Sequence, residues 1–312
     1  MNTKFARYAF AAALAALAVG CSQSNSPATP AGVAAAPAAV PTTPDGALTA
    51  SIQALRGNNV AAFLDNALPA GEVAKMKAEW SKDVNKDPVT EEDRKQFADT
   101  IAKLTAPDAE AKMYAEIEPK LKEFDAQSAQ QMPMMIAMGQ GFAQSSIQQS
   151  KDLNDSQKQQ ATAMIDATAK WAQATKFTDP ALVKSAIGAI CKTARDLNLK
   201  TIDEARALSY DQAMQKAGIV LGGVKQVFAV YGLNMDKALD SVKVETVSAA
   251  GDAAKVKVTY TAFDQPFATE SDLVKVDGRW YGKQAIEQWK KHQADNAAPA
   301  AIATDKPAEN KG

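Results

Sequence analysis

Histidine is nearly absent. One occurs in 312 residues, His292, and only two cysteines accompany it, Cys21 and Cys191. Most Ser-His-Asp triads, Cys-His dyads, histidine-based zinc sites and disulfide scaffolds are thereby excluded. Charge of one sign is not in excess either: 35 basic residues face 36 acidic ones. A protein that neutralises nucleic-acid phosphates needs a basic surplus, so no nucleic-acid partner is expected. Long apolar runs are missing too. The run Tyr8–Val19 has 12 residues, against the roughly 20 that a spanning helix needs. What the chain does have is size, with 46% hydrophobic residues, enough to bury a sizeable core.

The short apolar run follows Lys4 and Arg7 and ends in small residues, which reads as a signal peptide over residues 1–20. Its last residues, Leu17-Ala18-Val19-Gly20-Cys21, resemble the bacterial lipoprotein box, although the leucine stands one position earlier than is usual in that family. The resemblance implies acylation of Cys21 with palmitate-type chains, which makes it the mature N-terminus. Ser22 in place of an aspartate implies sorting to the outer membrane, on its periplasmic face. Each buried methylene contributes ~0.8 kcal/mol to such an anchor. Removing residues 1–20 takes away Lys4 and Arg7 and no acid, leaving a net charge of about −3.

Residues 21–47 are rich in Pro, Ala, Ser and Thr and read as a tether without a core. Residues 293–312 have the same character and read as a tail. Between them, residues 48–240 carry helical periodicity. Leu48, Ile52 and Leu55 form a stripe that stops at Gly57-Asn58-Asn59. Val73, Met76 and Trp80 mark a second helix. Thr90 before three acids, Asn154 with Gln157, Asp179 before Pro180, and Thr201 with Glu204 all look like helix starts. Pro119 should kink or break the helix it interrupts. The stripe of Val183, Ile187, Ile190, Ala194 and Leu197 should be buried. So should Tyr210–Tyr231, where Gly222 and Gly223 leave room for a neighbouring helix and Val220 and Val227 widen the apolar face.

The period changes to two in residues 241–292. Val242, Val244 and Thr246 alternate, and Gly251-Asp252 turns the chain. Val256, Val258 and Tyr260 alternate again before a turn at Asp264-Gln265-Pro266. Phe267–Val276 is a third strand, Asp277-Gly278 a two-residue hairpin turn, and Arg279-Trp280-Tyr281 a fourth strand. Ile286 and Trp289 close the chain in a helix. The expected fold class is α+β: a multi-helix region, then a four-stranded antiparallel meander and a C-terminal helix.

The strand Lys255-Val256-Lys257-Val258 and the hairpin Leu273-Val274-Lys275-Val276-Asp277-Gly278-Arg279-Trp280 resemble the C-terminal sheet of NTF2-like lipoprotein domains of the DUF4878 type. That resemblance implies a curved sheet around an apolar pocket. Tyr260, Phe263, Phe267 and Trp280 are the candidates to line it. It implies no catalytic residue.

Among the remaining residues, the run Met132-Pro133-Met134-Met135-Ile136-Ala137-Met138 is the most unusual. Flexible methionines fill irregular cores and adaptable partner surfaces. Thioethers also suit Cu(I), for which Met134, Met135 and Met138 are the candidate ligands, with Met132 cut off by Pro133. Cys191 falls on an apolar stripe and reads as a buried, inert thiol. His292 stands at the end of the last helix, where a cation is dipole-favoured. Glu270 and Asp272 share one sheet face, the only pairing suggestive of a carboxylate hydrolase, and also what a solvated face looks like. No catalytic constellation and no cofactor are implied. The expected function is non-enzymatic: a lipid-anchored protein that binds a protein or envelope component, as adaptor or immunity protein. Binding of a small apolar ligand in an NTF2-like pocket is the alternative.

Overall fold

The computed structural model describes residues 41–128, 131–151 and 153–297. The signal peptide, Cys21, most of the tether and the end of the tail lie outside the described residues.

The described chain is α+β, with its helices first and its sheet last. The first helix, α1 (Pro44–Arg56), starts four residues before the first residue of its stripe. Thr43 accepts a hydrogen bond from the Gly46 amide and Pro44 holds the first helical position, so the tether boundary at residue 47 moves back. Then follow α2 (Val60–Ala67), α3 (Ala70–Val84), α4 (Glu91–Thr105), α5 (Ala109–Ser128), α6 (Met132–Gln149), α7 (Asp155–Ala174), α8 (Pro180–Leu197), α9 (Ile202–Arg206), α10 (Tyr210–Val230) and α11 (Met235–Asp240). Capping boxes close the starts of α4, α7, α9 and α10, at Thr90, Asn154, Thr201 and Ser209.

Four strands follow, β1 (Lys243–Ala250), β2 (Ala253–Ala262), β3 (Gln265–Val276) and β4 (Arg279–Gly282), paired antiparallel in chain order. The β2–β3 turn differs from expectation. It is Phe263-Asp264, both residues at positive φ, so Gln265 and Pro266 already pair in β3. A bulky residue is rare in the left-handed region. Here the Phe263 ring packs against Trp171 of α7, at 6.1 Å between centroids, and the packing compensates. The last helix, α12 (Lys283–Ala297), runs five residues past His292 into the expected tail.

The main core lies between α1 and the sheet. Leu48, Ile52 and Leu55 meet Val242, Val256, Val258, Leu273 and Trp280, with Leu239 from α11. Thus the first helix of the chain belongs to the sheet at its end. Alternation sets this up: Val256↔Ser271, Val258↔Thr269 and Tyr260↔Phe267 are direct pairs on the core face. A second core joins α4, α5 and α8 through Ala109, Val183, Ile187 and Cys191. Helix α8 carries this core and also packs against α10.

Three helical expectations need correction. Pro119 neither breaks nor ends α5, which runs through it. Ala115, whose carbonyl loses its donor, and Pro119 itself are both exposed, so water can take the free carbonyl. Ile190 and Val220 are exposed rather than buried, because α8 and α10 use other positions for their mutual contact. The glycines of α10 explain how closely that contact is made. A Cβ at Gly223 would collide with Thr193 of α8, and one at Gly218 would collide with the Asn58 carbonyl in the α1–α2 turn.

Two predictions follow from this packing. Gly218→Ala should lower stability by about 1–3 kcal/mol despite alanine's better helix propensity, because backbone blocks the new methyl. Gly139→Ala, where a Cβ meets nothing within 4 Å, should raise it by about 0.5–1 kcal/mol. Urea unfolding of both variants reads the two signs. The corner between α4 and α5 has its own pH signature. Arg195 of α8 grips Glu110 at 2.6 and 2.9 Å and also donates to the Ala106 carbonyl at 3.0 Å. That grip holds the Glu110 carboxyl down at about 2 from its ordinary 4.5. The folded state therefore keeps Glu110 ionised where the unfolded state takes up a proton. Its stabilisation is complete above pH 4.5 and is lost as pH falls towards about 2. In thermal melts Glu110→Gln should be less stable than wild type at pH 6, with the difference closing over that window.

Candidate functional site

The hairpin of α6 and α7 stands against the rest of the fold through α7. Trp171 anchors it: the indole N–H donates to the Tyr231 carbonyl at 2.7 Å, and the ring meets Phe177 at 5.4 Å and Phe263 at 6.1 Å. Helix α6 packs on α7 and is held in register by Gln140 and Gln144, which both donate to Asp166 Oδ1, at 2.8 and 2.6 Å. Met132, Ile136, Gln140, Ala143, Gln144 and Ile147 are partly covered. Pro133 lies in the first turn, where its missing N–H costs nothing, so Met132 opens the same helix and is not cut off.

The opposite face of α6 is apolar and uncovered. Met134, Met135, Met138 and Phe142 stand 67, 63, 69 and 78% exposed. The expectation that these methionines fill a core is therefore overturned, and partner contact is the part that stays open. Positions 134, 138 and 142 repeat at i, i+4 and i+8, one ridge of a helix, with Met135 beside it. Across its 18 residues α6 has no Asp, Glu, Lys or Arg. A solvated helix face ordinarily carries such residues.

Each of the four aromatic pocket candidates has a packing partner. Tyr260 and Phe267 stack on each other at 5.5 Å between ring centroids. Trp280 is buried in the main core, and its indole N–H donates to the Thr42 carbonyl at 3.2 Å. Phe263, at the β2–β3 turn, packs against Trp171. Glu270 and Asp272 do share an exposed face, and Lys255 lies 3.3 and 3.4 Å from them. Cys191 is fully buried, with Sγ 3.6 Å from Met113 Sδ, and burial pushes its thiol up. His292 lies within α12, whose end is five residues further on.

Sequence reasoning missed the most deeply placed charge. Lys225 on α10 is only 5% exposed. Its ammonium donates to the Leu55 and Arg56 carbonyls at the end of α1, at 2.6 and 3.3 Å, and lies 2.8 Å from Asp236 Oδ1. Arg56 pairs with Asp240 at 2.7 Å and with Asp236 at 3.4 Å. Burial pushes the Lys225 ammonium down and the Asp236 hydrogen bond opposes that shift. The available signal was that Lys225 stands one turn after Leu221, on the same face of an apolar helix, where a cation needs a partner.

No family model, curated protein or solved structure matches this chain. Among the described residues, no group of three or more His, Cys, Asp or Glu side chains could hold a metal ion. No described helix is long and apolar enough to cross a membrane.

Lys225 is testable by removal. Lys225→Met keeps the length of the side chain but removes a donor from the Leu55 and Arg56 carbonyls, of which Leu55 keeps the Asn58 amide at 3.1 Å, and strips Asp236 of its buried cation. Stability should fall by about 1–3 kcal/mol in urea, while Lys216→Met, on the same helix without that role, should fall by less than about 0.5 kcal/mol.

Proposed function

We propose that this chain is a non-enzymatic lipoprotein. Acylated Cys21 anchors it to the periplasmic face of the outer membrane, and the Met/Phe face of α6 binds a protein of the envelope. The observation that carries the reading is the exposure of four large apolar side chains on one uncharged helix face. Flexible methionines adapt to a partner's shape, which suits such a surface.

The occupant that fits is a protein groove. A standard interface takes about 800 Å² from each partner. Four side chains on a convex ridge fall short of that against a second convex ridge, so α6 pairing with its own copy is disfavoured. A concave apolar groove covers both flanks of the ridge and reads anchors at i, i+4 and i+8, the helix-in-groove mode. The absence of charge on α6 requires a groove with no unpaired charge of its own.

The anchor reading rests on the signal peptide and the lipoprotein box. A photoreactive residue at position 138 of the full chain in cells should capture one protein saturably. Once purified, that protein should bind the wild-type chain and not the Met134→Ser/Phe142→Ser variant. Capture of lipid alone, or capture equal to that from a probe at exposed Lys120, would contradict the docking reading. Cys21→Ser should leave the chain unprocessed or release it from the membrane. Fractionation of that variant with the outer membrane, still bearing acyl mass, would contradict the anchor.

A further inference from the structure

We propose that Met134, Met135 and Met138 form a binding site for Cu(I). The proposal goes beyond docking and does not depend on it. The spacing i, i+1, i+4 is what makes a site. Met134 and Met138 are i,i+4 neighbours, and Met135 and Met138 are i,i+3 neighbours, each pair with Cβ atoms about 5–6 Å apart. Met138 is thus the hub of a triangle of thioethers on one side of α6. Each side chain has three rotatable bonds and each is more than half exposed, so the sulfurs are free to converge on one ion. A soft thioether set selects Cu(I) over harder metals. No carboxylate, imidazole or thiol on α6 competes for the role, since the helix has none.

Packing would have been the simpler explanation of three methionines together, and their exposure removes it. The flexibility of methionine serves an apolar docking ridge, and leucine supplies much of the same apolar area. What no other apolar side chain on such a ridge adds is a thioether sulfur. The three ligands are neutral, so the ion brings a net positive charge to the first turns of α6. The helix dipole is positive there and weakens the hold on a cation. The site is therefore a labile one, suited to passing Cu(I) on rather than storing it.

The test is an anaerobic titration of the full chain with Cu(I) against a chromophoric Cu(I) chelator. Cys21→Ser is placed in every sample so that this thiol does not compete. The wild-type methionines should bind one equivalent. The triple variant Met134→Leu/Met135→Leu/Met138→Leu should bind at least tenfold more weakly. Redox-inert Ag(I) should shift the methyl signals of these three methionines in NMR spectra and leave Met113 unmoved. Equal Cu(I) affinity in the triple variant, or Ag(I) shifts centred on Met113 and Cys191, would overturn the proposal. Leucine preserves helix propensity and apolar volume, so the variant should fold. It should also bind, once that protein is purified, the partner that the probe at position 138 captures from the otherwise wild-type chain. Loss of copper with partner binding retained separates the two readings, and failure of either one leaves the other to be judged on its own result.

Discussion

The buried ammonium of Lys225 is the point on which the two halves of the molecule meet. Helix α1 belongs to the core of the sheet, and α10 belongs to the helical layer carried by α8. The α1–α2 turn presses on α10 where Gly218 and Gly222 leave room for Asn58. That approach hides the last carbonyls of α1 from water. A helix end buried without partners is costly, and a long cation is one of the few groups that can reach it. Lys225 donates to the Leu55 and Arg56 carbonyls and forms an ion pair with Asp236. Asp236 in turn is shared with Arg56, which also holds Asp240, so α1, α10 and α11 are joined by one charge network.

With that frame closed, most large apolar side chains have partners. Trp80 stacks edge-on with Tyr210 and donates to the Leu208 carbonyl. Trp171 gathers Phe177 and Phe263, with Tyr231 packed on Phe177. Against this background the outer face of α6 carries the four most exposed large apolar side chains among the described residues. Its methionines are neither packed nor replaced by the charged residues that solvent favours, and the hairpin that carries them is tied down through α7. A rigid hairpin with an adaptable face is a suitable build for binding. The same thioethers give that face a chemistry that apolar contact alone does not need.

Local signals were legible in the sequence. Thr90, Asn154, Asp179 and Thr201 cap helices where expected, because a cap is decided within four residues. Asp277-Gly278 turns the chain between β3 and β4 for the same reason. The pairing of α1 with strands some 200 residues later had no local signature, since its stripe only asks for an apolar partner and does not say which. The partners of Lys225 were illegible because they come from α1 and α11. Phe263 defeated turn reading because its cost is offset by Trp171, a contact no window of neighbouring residues contains. At α6 the residue types were visible and their exposure was not. A methionine stripe looks the same in sequence whether it faces a core or water.

Function here rests on the Met/Phe face of α6 standing in solvent in the folded protein. The most direct measurement is NMR of methionine methyl groups in the intact chain, with a soluble paramagnetic agent added. The signals of Met134, Met135 and Met138 should broaden strongly, while that of Met113, packed against Cys191, stays sharp. Protection of the three α6 methyls to the level of Met113 would mean that the face is covered within the chain itself, and both the docking surface and the copper site would be lost with it.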